Sequence, residues 1–266
     1  MNTTAELKQF ACELAAGAGE VLRQAFYAPA AYQQERRSPK NMHLLEDRTI
    51  DQWLVKRIQE RYPQHTILTE ESGEHAPLES DAAADAVVRW IVDPVDGSAN
   101  FASHNPFVAI SLAVEIDGVL TLGVIEAPML DEQFVAVKGC GATVNGRTLQ
   151  VSTTNSLADA YLVSCDGGME DRTQVFSTLV RNYYDQVKDF RKLGSAALEC
   201  AWVAAGRADA YITMAIDPWD VAAGVLLVEE AGGRVTTLQG EAWKPTQTDL
   251  LCSNNLLHQT ILDRVW

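Results

Sequence analysis

Three acidic clusters carry the chemistry available to this sequence. They are Thr69-Glu70-Glu71-Ser72, the run WIVDPVDGSANF over residues 90–101, and Asp217-Pro218-Trp219-Asp220. In the second, an apolar stretch ends in Asp93-Pro94-Val95-Asp96-Gly97-Ser98. Pro94 fixes one φ angle and Gly97 permits backbone that other residues resist, so the turn is tight and stiff. Asp93 and Asp96 can then face one point in space. Two converging carboxylates suit magnesium, a hard cation that takes oxygen ligands and keeps several waters. The amides of Gly97 and Ser98 can open a helix and point at an anion. Taken singly, each cluster has a plainer reading. Asp93 and Asp96 serve equally well as turn and cap residues, Glu70-Glu71 as a solvated loop, and Asp220 as a helix cap or dipole partner. Their conjunction favours the metal.

The elements that must position these residues follow from the hydrophobic period. Leu7, Phe10, Leu14, Val21 and Phe26 recur at helical spacing over 5–27, and Ile50, Leu54 and Ile58 share one face over 48–61. Between them, 28–46 is polar and holds two prolines, which reads as a loop with short extended pieces. Alternating or β-branched runs predict strands at Thr66–Thr69, Val87–Val92, Val108–Ile116, Leu120–Ile125 and Gln133–Val137. Further on come helices over Arg172–Tyr184, Ser195–Ala205 and Trp219–Ala231, the last stopped by Gly232-Gly233. Short strands at Ala210–Thr213, 234–238 and 250–253 and a helix over 255–265 complete the reading. Each acidic cluster therefore stands where a strand ends or a helix begins. No low-complexity linker interrupts the chain, so one layered αβ domain over 1–266 is expected, with halves of about 1–150 and 151–266.

Composition narrows the partners. The 266 residues are 47% hydrophobic, and 36 acidic against 21 basic side chains give a net charge of -15. Such a surface repels nucleic acid and anionic membrane, so neither is an expected partner. An acidic protein that holds an anionic substrate needs a local remedy, and bound cations are one. Cys12, Cys140, Cys165, Cys200 and Cys252 form no CxxC pair, which predicts reduced thiols in a cytoplasmic protein. None sits in a Cys-x5-Arg loop, so thiolate phosphatase chemistry is not expected. The N-terminus has no signal-peptide pattern, and apolar stretches such as Val108–Val114 are too short to span a bilayer. The histidines show no HExxH spacing, which argues against zinc.

Together the motifs resemble the inositol monophosphatase family. Its DP-hydrophobic-DG-[Thr/Ser]-x-N-F loop reads Asp93 to Phe101, and its WD-x-A-A-G helix reads Trp219-Asp220-Val221-Ala222-Ala223-Gly224, followed by Glu230-Ala231-Gly232-Gly233. Its Glu-Glu-Ser element matches Glu70-Glu71-Ser72, and its Gly-[Ser/Thr]-Ala-Ala-Leu helix matches Gly194-Ser195-Ala196-Ala197-Leu198, with a similar VAAGRADAY segment after it. The resemblance implies a five-layered αβαβα sandwich, magnesium dependence, a homodimer, and hydrolysis of a small phosphorylated polyol or sugar. It implies one magnesium on Glu70, Asp93 and the Val95 carbonyl, a second on Asp93, Asp96 and Asp220, and a third, weaker ion that also leans on Glu70. Ser98 replaces the usual threonine but keeps the hydroxyl that helps activate water, partnered by an upstream aspartate best matched by Asp47. The amides of Gly97 and Ser98 would receive the phosphate, and Asp96, Gly194, Ser195, Ala196, Thr213 and Asp220 would line the substrate.

The chain departs from the pattern in places. His43-Leu44-Leu45-Glu46-Asp47 lacks the family's threonine, so Glu46 competes with Asp47 for its role. Arg36, Arg37 or Lys40 stands where the family often places a lysine near the phosphate. Inositol-preferring members often have a glutamate six residues before the tryptophan of the WD motif, where this chain has Thr213. A neutral hydroxyl cannot accept two hydrogen bonds as a carboxylate does, so other sugar or polyol phosphates become candidates. The rivals are a fructose-1,6-bisphosphatase or other sugar or nucleotide phosphatase of the same superfamily, and a non-catalytic binding homologue, since some relatives associate with transcription machinery.

Overall fold

The computed structural model describes residues 4–28, 34–38, 41–79, 86–165 and 172–265, with side chains excepted over 34–45 and 172–175. The first half runs α1 (Thr4–Tyr27), β1 (Gln34–Ser38), β2 (Asn41–Leu44), α2 (Leu45–Arg61), β3 (Thr66–Thr69), β4 (Gly73–His75), β5 (Val88–Asp96) and α3 (Ser98–Ala102). Next come β6 (Ala109–Ile116), β7 (Val119–Ala127), β8 (Glu132–Val137), β9 (Gly141–Val144) and β10 (Arg147–Thr148). The second half runs β11 (Tyr161–Ser164), α4 (Arg172–Tyr183), β12 (Asp189–Arg191), α5 (Ala196–Ala204) and β13 (Ala210–Met214). It closes with α6 (Pro218–Glu230), β14 (Arg234–Thr236), β15 (Asp249–Ser253) and α7 (His258–Leu262).

Two sheets alternate with three helical layers, which is the expected αβαβα sandwich. The eight-stranded sheet has the order β10-β9-β8-β7-β6-β5-β3-β4, and the five-stranded sheet β12-β11-β13-β15-β14. The side chains explain the layering. On β5, Trp90 and Val92 pack under α1 and α2 with Leu14, Leu22 and Ile58, whereas Ile91 faces the opposite layer. A strand buried on both faces reads as a continuous apolar run, as 90–92 does. Helices α5 and α6 fill the middle layer, where Ala197, Ala201, Ala223 and Leu227 meet Ile125 of one sheet and Tyr211 of the other. On the far side, Leu179, Tyr183 and Ile261 from α4 and α7 pack on Leu162, Ile212 and Leu251. Each fully buried Leu or Ile contributes about 2 kcal/mol by leaving water.

Several boundaries differ from expectation for local reasons. The polar 28–46 stretch contains an antiparallel β1–β2 pair. The last helix is confined to α7 because Asn254 takes the preceding turn, its side-chain oxygen accepting from the Leu257 amide at 3.1 Å. Strands β11 and β12 carry too few residues to show a period, and they form by parallel pairing with each other and of β11 with β13. All five cysteines are free thiols. Among the described residues no helix is long and apolar enough to cross a membrane.

A carboxylate cluster at the candidate active site

The site is built where β3 and β5 end and α6 begins. The sequence reads Asp93 to Asp96 as a turn after a strand; instead β5 continues through Asp96. Its pairing with β6 shifts register, Asp93 opposite Ser111 but Asp96 opposite Ala109. Three steps on one strand match two on the other, so one extra residue is accommodated at Pro94-Val95, a β-bulge. The consequence is geometric. Residues three apart on a regular strand point to opposite faces, and one inserted residue returns them to the same face. Proline lacks the N–H that regular pairing would use, and Asp93 Oδ1 accepts from the Val95 amide at 3.0 Å to hold the bulge. Gly97 then takes φ +98° at the start of α3, in the left-handed region that favours glycine.

Asp220 arrives from the second half. It lies in the first turn of α6, and its Oδ2 accepts from the Asp217 amide at 2.9 Å in a capping box. Ser111 Oγ donates to the Trp219 carbonyl at 3.2 Å, which fixes this helix start to β6. Asp93, Asp96 and Asp220 each offer a carboxylate oxygen within 4.8 Å of the others. Glu70 follows β3, beside β5, and its amide donates to the Val92 carbonyl at 3.2 Å. Its loop is fixed by Ser72, whose hydroxyl donates to the buried Asp51 Oδ2 at 2.6 Å and lies 2.7 Å from His75 Nε2.

Electrostatics mark the cluster as incomplete by itself. Burial, followed by mutual repulsion, holds the Asp93 carboxyl well above the usual range, and burial does the same for Asp220. Burial pushes Glu70 up to about 8, with the Asp47, Glu71 and Asp96 charges adding to it. Asp96 rises only to about 6 because hydrogen-bond donors at the start of α5 oppose its burial. Ser195 Oγ donates to Oδ2, the Ala196 amide donates to Oδ1 at 3.1 Å, and the Ala197 amide donates to Oδ2 at 2.8 Å. These donors open α5, whose N-terminal dipole favours an anion. Among the described residues no Lys or Arg pairs with Glu70, Asp93, Asp96 or Asp220.

The donor set fits a hard divalent cation. It is all oxygen, carboxylate-rich and at least half-buried, and among the described residues it has no protein counter-charge. The remaining expected residues divide. Asp47 is buried on α2 and its charge reaches Glu70. Ser98 Oγ donates to the Val95 carbonyl at 3.1 Å. Ser195 and Ala196 are at the cluster, but their donors are engaged by Asp96. Thr213 is fully buried on β13 with its hydroxyl 3.1 Å from Cys165 Sγ. Arg36 and Arg37 lie on β1, where side chains are not described, and Lys40 falls outside the described residues. Sequence reasoning passed over Asp51, although it stands one helical turn after Asp47, the signal that both face one side.

Five alternating layers with a carboxylate cluster between strand ends and a helix start define a sandwich protein with a candidate hard-cation centre. The chain belongs to the inositol monophosphatase family, whose model matches residues 3–266. It is 37% identical over 227 residues to the Nus factor SuhB of Salmonella typhimurium, covering 84% of this chain and 82% of that one. It is 36% identical over 216 residues to the fructose-1,6-bisphosphatase/inositol-1-monophosphatase of Thermotoga maritima, covering 81% and 79%. The solved extragenic suppressor protein suhB of Bartonella henselae superposes with a TM-score of 0.90 at 30% identity, covering 97% of this chain and 98% of that one.

Proposed function

We propose that this protein is a magnesium-dependent phosphomonoesterase acting on a small phosphorylated polyol or sugar. The observation that carries the reading is the convergence of buried Asp93 and Asp96 with half-buried Asp220 within 4.8 Å, with no cationic side chain paired to them among the described residues. Glu70, Asp93, Asp96, Asp220 and the Val95 carbonyl would hold two magnesium ions, with a third leaning on Glu70. Bound magnesium supplies neutralisation of the phosphoryl oxygens and acidifies water, which phosphoryl transfer chiefly needs.

The chain's own groups do the rest. The amides of Gly97 and Ser98 bind the phosphate where α3 begins. Ser98 Oγ, now bonded to the Val95 carbonyl, orients the attacking water, and the Asp47 carboxylate accepts the proton. Glu70 lies on the loop that Ser72 and Asp51 hold in place. Thr213 offers the outer pocket no carboxylate, which supports a substrate other than inositol-1-phosphate. The Thermotoga maritima relative, named for two such activities, supports a broad sugar-phosphate range.

A second reading is a binding protein without turnover, favoured by the likeness to the Nus factor SuhB. Phosphate release separates the two. The panel is inositol-1-phosphate, fructose-1,6-bisphosphate, glycerol-2-phosphate, histidinol phosphate and adenosine 3′,5′-bisphosphate, with and without magnesium. Release that requires magnesium and falls at least about a hundredfold in Asp96→Asn is expected, since even outer partners of metal ligands cost 10- to 100-fold. No release from any substrate by folded, magnesium-bound protein overturns the enzyme reading.

A further inference from the structure

Asp96 takes its three hydrogen bonds from a segment about a hundred residues away in sequence, so its orientation depends on how the turn at 193–195 is held. That turn has Gly194 at φ +84°. It is gripped from two sides. Glu199 Oε1 accepts from the Leu193 amide at 2.7 Å and from the Gly194 amide at 3.2 Å. Asn100 Nδ2 donates to the Leu193 carbonyl and to the Phe107 carbonyl, both at 2.8 Å, while Asn105 steadies its oxygen at 3.0 Å. The backbones also touch, because a Cβ at Gly97 would lie 3.3 Å from the Gly194 carbonyl oxygen.

Glu199 stands out in its helix. The α5 sequence, AALECAWVA, is otherwise apolar, and Glu199 is fully buried with Oε2 lacking any hydrogen-bond partner. A buried carboxyl is costly unless its bonds accomplish something. Its two bonds go to backbone amides of the half-buried turn, which lose a charge-capable acceptor if it is removed.

We propose that Glu199 and Asn100 are positioning residues for Asp96. They lock the Leu193–Ser195 turn so that the Ser195 hydroxyl and the Ala196 and Ala197 amides aim its carboxylate into the cation cluster. This deepens the phosphomonoesterase reading and rests on Asp96 being a magnesium ligand. Burial pushes the Glu199 carboxyl up to about 8, so at neutral pH it accepts from the turn as a neutral acid and adds no charge beside Asp96. A glutamine in its place keeps a neutral oxygen acceptor of the same reach.

The test is magnesium binding by titration calorimetry on the whole protein, with circular dichroism to establish folding, for wild type, Glu199→Gln, Glu199→Ala and Asn100→Ala. Glu199→Ala and Asn100→Ala are expected to raise the magnesium dissociation constant by about tenfold or more, as loss of a supporting partner does. Glu199→Gln is expected to stay within about twofold of wild type by the same scale. A purely structural glutamate would shift melting without this rescue pattern in binding. The proposal is overturned if folded Glu199→Ala binds magnesium like wild type, or if Glu199→Gln is as weak as Glu199→Ala. Should Glu199→Ala not fold, wild-type affinity in Asn100→Ala overturns it instead. A wild type that binds magnesium but releases no phosphate ends the enzyme reading and leaves this inference to be decided by binding alone.

Discussion

Two buried acidic places in this molecule solve opposite problems. Asp209, 5% exposed, is satisfied entirely by protein donors. Ser152 Oγ donates to its Oδ1, and the Tyr161 amide donates to its Oδ2 at 2.6 Å. Asn254 completes the network by donating to Ser152 Oγ at 2.9 Å and to the Thr154 carbonyl at 2.7 Å. The cluster of Glu70, Asp93, Asp96 and Asp220 instead turns carboxylates toward one another, and only Asp96 receives several donors. One acid ties loops together, whereas the other four remain costly until a cation joins them.

The comparison breaks if neutralising an acid has the same sign in both places. In chelated protein, Asp209→Asn is expected to lose about 2 kcal/mol, because charge-assisted bonds weaken and one buried donor loses its acceptor. Asp93→Asn removes a repelled carboxylate and is expected to raise Tm in the same buffer, while abolishing the stabilisation that magnesium gives wild type. Thermal melts with chelator and with magnesium decide it. A fall in Tm for Asp93→Asn matching that of Asp209→Asn would sink the distinction.

Much of this contrast was legible in the sequence, and the illegible part has a physical cause. The helical period of α1 and the apolar run of β5 identify their elements because burial imposes those periods. The three acidic clusters are visible because each sits at an element end. What cannot be read locally is which ends meet. The bulge at Pro94-Val95 that turns Asp93 and Asp96 to one face appears only when β6 supplies a register. Glu199 looks like an odd polar residue in an alanine-rich helix until the 193–194 turn folds against it. Thr213 stands six residues before Trp219, a spacing that says nothing of its surroundings. The alternation along β13 places it with Tyr211, beside Cys165, where it is fully buried.

The two kinds of acid also respond differently to pH. Burial, with neighbouring charges adding to it, raises Glu70 to about 8, and burial raises Asp96 to about 6 in the folded chain, against about 4 for unfolded carboxylates. Between those values the folded state holds protons that the unfolded state has released, so stability falls as pH rises. Below about pH 4 both states are protonated and this contribution is flat. The Tm of chelated protein is therefore expected to decline from about pH 4 to about pH 8. Saturating magnesium should remove the cluster's share of that decline and leave the share of partly buried acids outside it, such as Glu126. Equal slopes with and without magnesium would mean the four carboxylates are not the source.

The smallest effect expected lies in the turn that delivers Asp220. Ala215, between β13 and α6, has φ +55°, a left-handed conformation that costs a non-glycine residue roughly 1 kcal/mol. Ala215→Gly relieves that strain but gives the unfolded chain more freedom, so the net gain is about 0.5 kcal/mol, read as a rise in Tm of a degree or two. Nothing comparable is available at Asp209, whose φ is ordinary. Strain beside a functional residue is tolerated when it holds that residue in place. If Ala215 does this for Asp220, the glycine variant melts higher yet needs more magnesium for half-saturation. A variant that melts higher with unchanged magnesium demand makes the strain incidental, and one that melts lower means that the fold already prefers alanine there.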